Sequence, residues 1–181
     1  ELLQILTKFD YERANPYLVD FADESLLHVF QFVFWYAKKN STDWLGVIES
    51  NIDRINDDET FSFCVYLLKE MNIDYGYLVV PFTQNKNQSI RVTAYYMLGQ
   101  LSNKNSYLDT FIVGLNESAN RVVHTALQAL DGVEDKRLLK HYKSIAERFP
   151  VEEDYILVNL NHRLKPFGLS NTTIKDLVLD T

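Results

Sequence analysis

Four histidines, one cysteine and 25 carboxylates are the residues of this 181-residue chain that could hold a metal ion, form a covalent intermediate or move a proton. A structural or catalytic metal needs three or four such ligands at short, fixed spacings, and a nucleophilic cysteine needs a partly exposed thiolate beside a base. His28, His124, His141 and His162 fall in different segments, and none stands at ligand spacing from Cys64 or from two carboxylates. The chain also lacks a Gly-rich phosphate loop, a Gly-x-Ser-x-Gly elbow, a His-Glu-x-x-His pair and a Cys-x-x-Cys pair. The expectation is a protein that is not an enzyme, with no catalytic residues, no metal and no cofactor.

Charge narrows the partners. Eighteen Lys and Arg face 25 Asp and Glu, for a net charge of -7 and a pI near 5.1. Nucleic-acid binding draws on clustered cations that displace counterions, so a nucleic-acid partner is not expected and a basic protein is. The acidic excess sits in residues 1–85, with 14 acidic against 6 basic residues, whereas residues 86–181 are nearly balanced. Lys136, Arg137, Lys140 and Lys143 make a local basic stripe, read as a solvated helix face. With Cys64 as the one cysteine there is no internal disulfide, and a reducing, cytoplasmic setting is the expectation. The most apolar window, residues 29–37, is interrupted by Gln31 and is about half the roughly 18 residues a membrane span needs. Four Asn-x-Ser/Thr triplets, at Asn40, Asn87, Asn116 and Asn171, are read as chance products of an Asn-rich chain.

The elements that would position these residues follow a period of about 30. The pairs Tyr17-Leu18, Val47-Ile48, Tyr77-Leu78, Tyr107-Leu108 and Leu138-Leu139 recur at offsets of 30 or 31. A second column runs Phe34, Cys64, Ala94, Ala126, Ile156, and a third Leu68, Leu98, Leu130, Leu160. Inside each period the apolar spacing is helical: Ile90, Ala94, Met97, Leu98 and Leu101 lie on one face, as do Val122, Ala126, Ala129, Leu130 and Val133. Six Gly and four Pro are too few for a sandwich of many short strands, and polar, cap-forming clusters such as Asn56-Asp57-Asp58-Glu59 and Asn85-Lys86-Asn87 separate the helices. The fold expected is all-α, one domain of helix pairs at about 17–40, 43–72, 74–102, 105–132 and 135–165. Within these, 74–84 is read as one helix. Terminal capping helices are expected at 1–9 and 172–180.

Residues 89–101, Ser-Ile-Arg-Val-Thr-Ala-Tyr-Tyr-Met-Leu-Gly-Gln-Leu, resemble the second helix of a HEAT repeat, in which an Ile-Arg or Val-Arg pair precedes a small residue and a Met-Leu-Gly or Ala-Leu-Gly step. Residues 107–116, Tyr-Leu-Asp-Thr-Phe-Ile-Val-Gly-Leu-Asn, resemble the first helix and its closing turn. The likeness covers about residues 43–165, is good in the two central repeats, and weakens in the flanking ones, whose second helices lack the Arg. It implies an armadillo-like solenoid, a right-handed αα superhelix of about five HEAT-like pairs, used for macromolecular recognition, with the second helices lining its concave side. It names no partner.

Cys64 stands in the centre of the buried column and reads as core. Two residues beyond that column, about 160° around each second helix, the most exposed positions are Tyr36, Tyr66, Tyr96, Gln128 and Val158, with a companion column of Phe32, Ser62, Val92, His124 and Asp154. Tyrosine where a polar surface belongs offers contact area, a hydroxyl and few rotors to lose on binding. The alternative is sideways packing that seals the stack. The expected function is protein binding through Phe32, Tyr36, Tyr66, Tyr96, His124 and Gln128, an acidic rim and aromatic centre suiting a basic protein. A narrower form is an immunity or antitoxin protein that neutralises a basic toxin. The enzyme-class alternative is a protein resembling the alkylpurine DNA glycosylases built on HEAT-like repeats, which the charge disfavours. The apolar stripe Leu2, Leu3, Ile5, Leu6 and Phe9 suits a cap or a joint, and self-association is expected if the chain is one piece of a longer solenoid.

Overall fold

The computed structural model describes residues 45–70, 74–149 and 155–177, so the expected pair at 17–40 and cap at 1–9 lie outside the described residues. All regular structure in the described residues is helical, with no strand among them. Eight α-helices follow in order: α1 Leu45–Asn51, α2 Asp58–Glu70, α3 Gly76–Val79, α4 Gln88–Gly99, α5 Leu108–Leu115, α6 Asn120–Ala129, α7 Leu139–Arg148 and α8 Tyr155–Leu164. Short 3-10 turns extend several of them, at Ile52–Arg54, Val80–Gln84, Lys104–Tyr107, Lys136–Leu138 and Lys165–Phe167.

The polar clusters do act as caps. Asp57 Oδ1 accepts the Thr60 backbone N–H at 2.8 Å ahead of α2, and Asn87 Oδ1 accepts that of Ser89 at 2.9 Å ahead of α4. Asp135 caps the turn leading into α7, its Oδ1 taking the Arg137 N–H at 2.8 Å. Each satisfies one of the donors a helix start leaves open.

Two elements differ from the expectation. The helix expected over 74–84 is a four-residue α-helix running into the 3-10 turn Val80–Gln84, because Pro81 has no N–H to donate one turn back and its ring crowds the preceding carbonyl. The closing helix expected at 172–180 is absent over its described part: residues 171–176 form turns. They are nevertheless tied down. The Asn171 N–H donates to Asn161 Oδ1 at 2.8 Å, Asn171 Nδ2 to the Leu157 carbonyl at 2.9 Å, and Lys143 Nζ to the Leu177 carbonyl at 2.8 Å, while Ile174 is fully buried. Side-chain hydrogen bonds thus tie this segment to α7 and α8.

The chain groups into two compact units, residues 1–78 and 79–181. In the first, α1 and α2 bury Ile48, Ile52, Phe61, Cys64, Leu67 and Leu68, and the Tyr77 hydroxyl of α3 donates to Glu49 of α1 at 2.5 Å. In the second, α4, α6 and α8 contact one another in series, as do the Val80–Gln84 turn, α5 and α7, and each member of one row packs on its partner in the other. The buried columns are those the period marks: Cys64, Ala94, Ala126 and Ile156 are fully buried, and so are Leu68, Leu98, Leu130 and Leu160.

Close approach and charge fix the rows. A Cβ on Gly99 would lie 2.7 Å from both Cα and Cβ of Ala129, so α4 and α6 touch through a residue without a side chain. Gly114 on α5 is likewise hemmed by the Tyr95 ring at 2.8 Å and Ala126 at 2.9 Å. Arg91 pairs with Glu117 at 3.0 Å, the two side chains 15% and 20% exposed, and donates to the Asn85 carbonyl at 2.8 Å, joining the turn before α4 to the turn before α6. Arg148 of α7 donates to the Glu117 carbonyl at 2.6 Å. The Arg of the Ile-Arg pair is therefore a clasp between loops.

Candidate functional site

Of the six candidate residues, Phe32 and Tyr36 lie outside the described residues. Tyr66 belongs to the first unit, and Tyr96, His124 and Gln128 to the second.

On α2, the stripe that buries Phe61, Cys64, Val65 and Leu68 turns Ser62 and Tyr66 outward, and Tyr66 is 45% exposed. Its ring sits 6.3 Å from that of Phe63, tilted by 47°. With Asp58, Glu59 and Ser62 these two rings line an open groove of about 490 Å³.

In the second unit the outward column crosses three adjacent helices: Tyr96 on α4 at 48% exposure, Gln128 on α6, also exposed, and Val158 on α8 at 49%. His124 is placed differently from its column-mates. It is half-buried, with Tyr155 of α8 edge-on to its ring at 4.6 Å and 84°, and Asn159 Nδ2 donates to its Nε2 at 2.8 Å. These contacts build His124 into the α6–α8 packing. Tyr155, 46% exposed, borders the same face and was not among the candidates. Its signal was available: it stands three residues before Val158, and helix neighbours recur at three as well as at four.

The remaining chemically capable side chains are dispersed. Cys64 is fully buried, and burial pushes its thiol up to about 12, far from a reactive thiolate. Burial, with a smaller contribution from Lys140, holds His141 below the usual imidazole range, and its Nδ1 lies 3.2 Å from the Asn116 amide. His162 is exposed beside Lys165. Among the described residues no three His, Cys, Asp or Glu side chains converge to hold a metal ion. The basic stripe of α7 is partly engaged: Arg137 is clamped by Asp135 at 2.9 Å and Lys143 by the Leu177 carbonyl, leaving Lys136 and Lys140 exposed.

Comparison with known proteins finds no matching family model, no similar curated protein and no similar solved structure. Among the described residues no helix is long and apolar enough to cross a membrane.

Proposed function

We propose that the chain is a HEAT-like, right-handed αα-superhelical module that binds a basic protein through the outward face of its second helices and is not an enzyme. The observation that carries this reading is the exposure of Tyr96, Val158 and Tyr155 on neighbouring helices, together with Gln128, where a purely solvated face would be polar. Tyr66 supplies the equivalent element in the first unit, and Phe32 and Tyr36, by their place in the same columns, extend it. His124 contributes by holding the floor of that face rather than by reaching across it.

Three features support the reading. The serial packing of α4, α6 and α8, backed by α5 and α7, is the pairing that stacked helical repeats use. The net charge of -7 favours a basic partner and speeds its approach. A cytoplasmic setting suits the single, buried thiol.

Affinity capture of partners by the intact chain, beside a Tyr96→Ala/Val158→Ser variant and a Tyr77→Ala/Val113→Ser variant, tests the reading. All four positions are exposed, so folding should survive in both variants. A partner kept by the second variant and lost by the first is the expected result, since an aromatic hot spot contributes about 2 kcal/mol or more. Equal capture by both would place the binding surface elsewhere.

A further inference from the structure

We draw no further inference here: the strongest candidate, the exposed surface patch that Gln128 of α6 forms with Tyr155 and Val158 of α8, belongs to the second-helix face already described, and nothing in the structure shows what covers it.

Discussion

At the scale of single residues, burial decides what each reactive group can do. Cys64 ionises with difficulty because its charged form would sit in the core, so Ellman's reagent at pH 8 should label it only as fast as the chain opens. Prompt labelling of the folded protein would contradict its placement. The same physics sets a pH limit. Burial raises Cys64 from 9.0, and Tyr95 from 10.0, to about 12 each, so the unfolded chain loses these protons first. Their contribution is fully present below pH 9 and is lost as pH rises from 9 toward 12. Urea midpoints should therefore hold between pH 7 and 8.5 and fall by pH 10.5. Tyr142 offers a converse test, since its ring is fully buried and its hydroxyl has no hydrogen-bond partner. Tyr142→Phe removes an unpaired polar atom and should leave stability unchanged or raise it by about 1 kcal/mol in urea titration.

At the scale of elements, the helix rows depend on two devices, the close contact at Gly99 and the loop clasp at Arg91. Ala is the better helix former by about 1 kcal/mol, yet Gly99→Ala should destabilise, because overpacking against the Ala129 backbone typically costs about 1–3 kcal/mol. A drop in Tm is expected; a rise would mean that α4 and α6 stand further apart. Arg91→Met should also lower Tm, since it strands Glu117 and the Asn85 carbonyl in a part-buried site. Much of this layer was legible in the sequence. The buried column of the first helices proves more regular than the pairs suggested: Ile48, Leu78, Leu108 and Leu138 recur every 30 residues, all buried, whereas Leu139, which the paired reading aligned with them, is half-buried. What escaped was local chemistry that periodicity does not encode. Pro81 shortened α3, and Asn171, Asn161 and Lys143 tied residues 171–177 to α7 and α8 with side-chain hydrogen bonds where a closing helix was expected. At the candidate face, the exposure of Tyr66, Tyr96, Gln128 and Val158 followed from a 100° rotation per residue, but the capture of His124 by Tyr155 and Asn159 did not, because it depends on the neighbouring helix.

At the scale of the whole molecule, the reading proposed is that an acidic chain with exposed aromatic and aliphatic side chains on a row of second helices meets another protein there. Such a partner should bind more weakly as salt rises, since rim charge acts mainly on association and is screened within about 8–10 Å at physiological ionic strength. Insensitivity of the association rate to salt would remove the acidic surface from the mechanism while leaving the aromatic face untouched. The central claim is that the second-helix face is the contact surface, and photo-crosslinking tests it most directly. A benzophenone amino acid placed at Gln128 on α6, and separately at Val113 on α5, should crosslink the captured partner from position 128 and leave position 113 unlabelled. Crosslinking from position 113 alone, or equally from both, would contradict it.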